Sequence, residues 1–226
     1  MLESGAKHVI MLDLSHSVDD VVRYNLESSG YSNYDVIQCS IDMPPILYNS
    51  IPGIVMCHNV IQHTPSVEKT AHALYKIVGT GGEFVFNCYP KNDQGILRKI
   101  RFHIIYKGIR SILSKMPFLV ILIYARLMGV IRLIPFVGTV CEKLNFCVQG
   151  DVPNTKDFLD KIKRRYKATV LNTFDCYGSH EFQHHKTEKE IKQLVSELQK
   201  NPKKVLNMDK YFSRPTPIGC ALRIFK

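Results

Sequence analysis

Four short apolar runs, separated by stretches of helical spacing, constrain the first part of this chain more than any other feature. The run from His8 to Leu14 is too short for a helix and meets an acid at Asp13. That is the pattern of a parallel strand buried on both faces. Helical spacing follows from Val18 through Val21, Val22 and Leu26, with Ser17 placed as a cap and Gly30 as a stop. Tyr34 to Ser40 predicts a second strand, closed off by Met43-Pro44-Pro45, and Gly53 to Asn59 predicts a third. Thr64-Pro65 predicts the opening of a helix with a buried stripe of Val67, Ala71, Leu74 and Val78, ended by Gly79. Glu83 to Tyr89, after Gly81-Gly82, predicts the next strand. Alternation of this kind implies a parallel sheet that takes ligands at the carboxyl ends of its strands.

The remainder differs in kind. Residues 1–89 hold 4 Lys/Arg against 9 Asp/Glu, a net −5, whereas residues 90–226 hold 26 against 11, a net +15. The overall +10 therefore belongs to the second part alone. From Ile96 to Lys115, Leu97, Ile100, Ile104, Ile105, Ile109, Ile112 and Leu113 follow helical spacing, opposite Lys99, His103, Lys107, Arg110 and Ser114. This predicts a basic amphipathic helix, whose apolar face packs on the core or meets an anionic membrane. Phe118 to Val140 is more apolar still, but Arg126 and Arg132 interrupt it, well short of the ~20 residues a bilayer span needs. Thr187-x-x-Glu190 predicts a capping box opening a helix through Leu198, and Val205 to Asn207 and Ile218 to Phe225 predict closing strands. Seven cysteines, an odd count with no C-x-x-C pair, and no signal peptide predict reduced thiols in a cytoplasmic protein.

A carboxylate at a strand's carboxyl end suits the two hydroxyls of an adenosine ribose, which makes Asp13 the first candidate. A turn former or helix-start charge is the structural alternative at that position. His63 is a candidate general base, because imidazole titrates near neutral pH; a histidine packed at a helix start is the alternative. His180, His184 and His185 have metal-ligand spacing but lack the acid of a His-Glu-x-x-His pattern, so no metal is expected. Cys39, Cys57 and Cys88 read as small apolar core residues. No aromatic RNA-binding signature accompanies the basic residues, which argues against nucleic acid.

Residues 5–15, Gly-Ala-Lys-His-Val-Ile-Met-Leu-Asp-Leu-Ser, resemble the second strand of class I S-adenosylmethionine-dependent methyltransferases. Gln38-Cys39-Ser40-Ile41-Asp42-Met43-Pro44 is similar to the turn after that family's third strand, and Val60-Ile61-Gln62-His63-Thr64-Pro65 to the segment after its fourth. Gly79-Thr80-Gly81-Gly82 stands where the family often has Lys-Pro-Gly-Gly before its fifth strand. The resemblance implies S-adenosylmethionine as cofactor, with Asp13 at the ribose, Leu14 beside the adenine and Ser40 and Ile41 at the adenine edge. His58 and Asn59 would line the methionine side. The family has Asp where this chain has Ser40, so the adenine amino-group contact is lost or falls to backbone. The resemblance also implies a first strand and a glycine-rich loop ahead of Leu2, a segment of about 30 residues. The residues present start inside the helix that should follow.

The expected fold is therefore α/β, a Rossmann-like methyltransferase sheet, N-terminally incomplete, with a helical insertion. Residues 1–95 form the partial core, 96–180 the insertion or lid, and 181–226 the closing helix and strands. The expected function is methyl transfer to a small, hydrophobic acceptor by a cytoplasmic protein, with peripheral membrane contact through residues 96–140. Two alternatives stand beside it: a degenerate relative without cofactor binding, and a basic membrane-surface or RNA-binding protein.

Overall fold

The computed structural model describes residues 1–16, 18–91, 95–149, 152, 155, 157–198, 205–206 and 222–226. It divides into two compact units, Met1–Pro90 with His184–Lys226, and Lys91–Gln183.

In the first unit, β1 (Val9–Asp13) pairs in parallel with β2 (Tyr34–Gln38), in a register running from Val9↔Tyr34 to Asp13↔Gln38. A π-helical stretch, Val18–Arg23, leads into α1 (Tyr24–Ser28) between them. Gly30, at φ +76°, turns the chain out of that helix, as its position in the sequence predicts. Ser17, the expected cap, lies outside the described residues.

A second sheet follows the order β3 (Ile54–Cys57), β4 (Glu83–Phe86), β8 (Leu222–Phe225) and β7 (Val205–Leu206). β3 and β4 are parallel, while β8 runs antiparallel to both of its neighbours. The rest of the two predicted closing strands, Asn207 and 218–221, lies outside the described residues. A short parallel pair, β5 (Tyr89–Pro90) with β6 (His185–Lys186), ties the two chain segments of this unit together.

The core of the unit lies where one face of the second sheet meets two helices that touch each other, α2 (Val67–Ile77) and α8 (Glu188–Leu198), while Ile54 and Met56 of β3 stay half exposed. Phe84 and Phe86 stack at 4.9 Å between ring centroids, and Val67, Ala71, Leu74, Ile191, Leu194 and Val195 close over them. The Thr187–Glu190 box is formed as predicted: Thr187 N–H donates to the Glu190 carboxylate at 2.7 Å, and Glu190 N–H donates to Thr187 Oγ1 at 3.3 Å. The start of α2 corrects the sequence reading. Its cap is Ser66, whose hydroxyl accepts from Lys69 N–H, while Thr64 Oγ1 turns inward to donate to Ile61 O and accept from Thr70. The glycines before β4 are set by crowding: a Cβ on Gly82 would lie 2.8 Å from Gly53 O, and one on Gly79 2.9 Å from Ile51 O.

Among the described strands, β1 hydrogen-bonds only to β2 and β3 only to β4, so each keeps one open edge. An open edge offers unpaired N–H and C=O groups to an incoming strand.

The second unit is helical, with α3 (Ile96–Ile100), a π-helical stretch Arg101–Tyr106, α4 (Lys107–Leu113), α5 (Phe118–Leu133), α6 (Val137–Lys143) and α7 (Phe158–Phe174). Its core gathers Phe102, Tyr106, Leu113 and Tyr177. The Arg110 guanidinium crosses to the carbonyls of Cys176 at 2.6 Å and His180 at 2.5 Å, and Tyr177 OH donates to Asn145 O. Here the predicted apolar face holds in part: Leu113 is buried and Ile109 packs on this core. Leu97, Ile100, Ile104 and Ile112 are exposed, and the aromatic line Phe102–Tyr106, one turn apart, is buried instead. Two stacked rings bury more area per position than the isoleucines beside them, so they take the inner face.

Candidate cofactor site

Asp13 closes β1 with its carboxylate exposed. Its Oδ1 accepts from Ser15 N–H at 2.7 Å, a local bond that fixes the side chain's direction. Oδ2 has no partner among the described residues. Cys39 N–H donates to Asp13 O at 2.8 Å, and Gln38 Nε2 donates to Leu14 O at 3.2 Å, so the two strands leave the sheet together. Leu14 is 71% exposed at that rim, an apolar surface beside an exposed acid. Ser40 and Ile41 follow β2 at the same end. Ile41 packs on the core, while the Ser40 hydroxyl donates to the Asp42 carboxylate. Sequence reasoning missed Asp42. A carboxylate two residues after the serine does stand in this loop, and the signal available was the Ser-x-Asp spacing itself.

At the carboxyl end of β3, Asn59 adopts φ +57°, a left-handed turn that asparagine tolerates better than most residues. Its N–H donates to Asn87 Oδ1 at 2.6 Å, and its own Oδ1 accepts from Asn87 Nδ2 at 2.5 Å. Asn87 is completely buried, so this reciprocal amide pair satisfies it while locking the β3 turn to the end of β4. No pattern in the sequence marks Asn87, because its partner is 28 residues away. His58, half-buried, precedes Asn59 at the same end. His63 ends the 3₁₀ turn Ile61–His63, with its ring edge-on to Tyr89 at 5.6 Å between centroids. His184 anchors the same turn: its N–H donates to Gln62 O at 2.9 Å, and its ring nitrogen meets Thr64 O at 3.0 Å. Within the turn Gln62 is fully buried, and neither atom of its side-chain amide has a hydrogen-bond partner among the described residues.

The predicted site residues thus fall into two groups. Asp13, Leu14, Ser40 and Ile41 share the end of the β1–β2 pair, and His58, Asn59 and His63 share the end of β3. No described strand hydrogen-bonds to both β1 and β3. Burial pushes the thiols of Cys57 and Cys88 up to about 12, which fits the expected core role and removes them as nucleophiles. Cys39 is only partly buried. The three histidines of metal-like spacing take different partners. His180 pairs with Asp175 at 2.9 Å in the helical unit, His184 takes Thr64, and His185 lies 5.7 Å from Tyr89.

An exposed carboxylate with one oxygen unoccupied, beside an exposed leucine at a parallel strand's carboxyl end, fits the ribose and the flat base of an adenosine. The α/β unit thus presents an exposed carboxylate and an exposed apolar side chain together at the end of one parallel strand pair. Residues 1–86 match the family model described as a methyltransferase domain. Over this stretch the chain is similar to methyltransferase domains, a match that supports S-adenosylmethionine as the cofactor.

Similar solved structures include a protein assigned as a methyltransferase from Bacillus halodurans, 14% identical, with a TM-score of 0.40 over 99% of this chain and 81% of that one. PKMT2 from Rickettsia typhi, in complex with AdoHcy, is 15% identical with a TM-score of 0.43, over 88% of this chain and 34% of that one. An arsenic(III) S-adenosylmethionine methyltransferase from Chlamydomonas reinhardtii is 23% identical with a TM-score of 0.35, over 45% of this chain and 36% of that one. No curated protein matches the sequence.

Proposed function

We propose that the protein transfers a methyl group from S-adenosylmethionine to a small, hydrophobic acceptor. The observation that carries this reading is Asp13, held at the end of β1 with an exposed carboxylate, inside the stretch that matches the family. S-adenosylmethionine supplies a methyl group on a positively charged sulfur, open to displacement by an oxygen, nitrogen or carbon nucleophile. The chain's own residues do the rest. Asp13 accepts from the ribose hydroxyls, and Leu14 and Ile41 pack on the base. Asp42, positioned by Ser40, offers an acceptor for the adenine amino group that Ser40 itself lacks. Asn59, locked by Asn87, presents backbone toward the methionine end together with His58. His63, edge-on to Tyr89, takes the proton of the acceptor's nucleophile. Holding donor and acceptor in line supplies much of the rate in such displacements.

A second reading has its own observation. The two groups of site residues lie on strands that no described strand joins. A relative that keeps both half-sites without closing them would bind partners but not cofactor. Thermal unfolding with S-adenosylhomocysteine separates the two readings. Ligand at 100-fold excess over its Kd adds about 2.7 kcal/mol, a rise of several degrees for a chain of this size. No rise at millimolar ligand would reject the cofactor-using reading in favour of the second.

A further inference from the structure

α5 presents two unlike faces. Ile121, Ala125, Met128 and Gly129 are buried, and the helix packs on α7 so closely that a Cβ on Gly129 would meet Val170 Cγ2 at 2.6 Å. On the other side Leu119, Ile123, Leu127 and Val130 stand at i, i+4, i+8 and i+11, which places them in one line. Each is 53–63% exposed. Four branched aliphatic side chains over about 17 Å of helix form a continuous apolar stripe, not isolated surface residues. Beside it, between α5 and α7, lies a recess of about 430 Å³ with Phe118, Leu122, Tyr166 and Val170 in its lining. Arg126 and Lys167 also line it, both exposed and neither ion-paired among the described residues.

The charge of the unit says what covers this face. Residues 91–183 hold 16 Lys/Arg against 7 Asp/Glu, a net +9. A second copy docked face to face would bring two such units together, and like charges oppose that. An anionic lipid surface satisfies both features. Aliphatic side chains enter the acyl boundary, and long cationic side chains reach back to the phosphates. With 16 residues, α5 is about 24 Å long, and among the described residues no helix is long and apolar enough to cross a membrane.

We propose that the exposed face of α5 lies in the interface of an anionic bilayer, with Arg126 and Lys167 at the lipid phosphates. This surface and the candidate cofactor site share no residue, and its test needs no cofactor. The full chain is sedimented with vesicles of phosphatidylcholine alone and with vesicles containing phosphatidylglycerol. The expected result is binding to the anionic vesicles, weak binding to the neutral ones, and loss at high salt. Arg126→Gln with Lys167→Gln lowers binding about tenfold or more, from roughly 1 kcal/mol for each cation near the surface. Ile123→Gln with Leu127→Gln lowers it by a similar factor. Because all four residues are exposed or line an open recess, the variants keep the wild-type circular dichroism. Equal binding of wild type and both variants overturns the proposal. So does a failure to bind anionic vesicles, or a dimer in sedimentation velocity that Ile123→Gln with Leu127→Gln dissolves.

Discussion

Against the helix-covered face of the second sheet the largest apolar side chains are inside, and in the helical unit many of the same residue types are outside. Ile61, Phe84, Phe86 and Ile191 are fully buried around the second sheet. Leu97, Leu119, Ile123 and Leu127 are more than half exposed. The face of the second sheet that the helices cover is closed by the core, whereas Ile54 and Met56 on the other face of β3 stay half exposed. The helices of the second unit need only one buried face each, and what they show outward is free to meet a partner. The comparison separates what holds this protein together from what it offers to its surroundings.

The largest effect that can break this comparison is in the core. Phe84→Ala removes a stacked, fully buried ring and is expected to cost about 3–5 kcal/mol in urea denaturation. Ile123→Gln, the same kind of loss at an exposed position, is expected to stay within about 0.5 kcal/mol. A large cost at Ile123 would show that its face is structural after all. Next comes the buried side of α5. Gly129→Val forces side-chain atoms into Val170 and Tyr166 and should cost about 1–3 kcal/mol, read as a lowered Tm. An unchanged Tm would mean that α5 and α7 are not in contact as described.

Loss of the α8 cap by Thr187→Ala should cost about 1 kcal/mol, since Thr187 and Glu190 satisfy each other's backbone donors. The smallest effect is electrostatic. Burial raises the Glu68 carboxyl, but the Lys186 ammonium at 2.5 Å and the hydrogen bonds around it outweigh burial and hold it below its ordinary value. A depressed carboxylate stabilises the fold above its unfolded value of 4.5, and that stability is lost as pH falls through the lower folded value. Lys186→Gln should therefore flatten the acid limb of the stability curve, by under about 1 kcal/mol because the pair is partly solvated. An unchanged acid limb would remove the pair from the account.

Local signals were the legible ones. The Thr187–Glu190 box spans three residues and formed where the spacing put it, and Asp13 ends β1 where its apolar run meets an acid. The cap of α2 was misplaced by two residues because Thr64 spends its hydroxyl inward, on Ile61 and Thr70, and leaves Ser66 to begin the helix. The inner face of residues 96–113 is legible only in part, at Ile109 and Leu113, because isoleucine periodicity competes there with Phe102 and Tyr106, which pack on Tyr177. Asn87 was invisible in an apolar run, since what makes it part of the site is Asn59, on another strand end. The resemblance gathered Asp13, Ser40 and His58 into one site. In the structure they stand on two strand pairs, a fact of long-range pairing that no local pattern encodes.

The central claim is that the end of β1 binds the cofactor through Asp13. Calorimetric titration of S-adenosylhomocysteine into the full chain and into Asp13→Ala tests it directly. The expected result is one site in the wild type and an affinity lower by about tenfold or more in the variant, the loss of a charge-assisted hydrogen bond to each of two hydroxyls. Equal affinity for both proteins, or no heat from either, would contradict it.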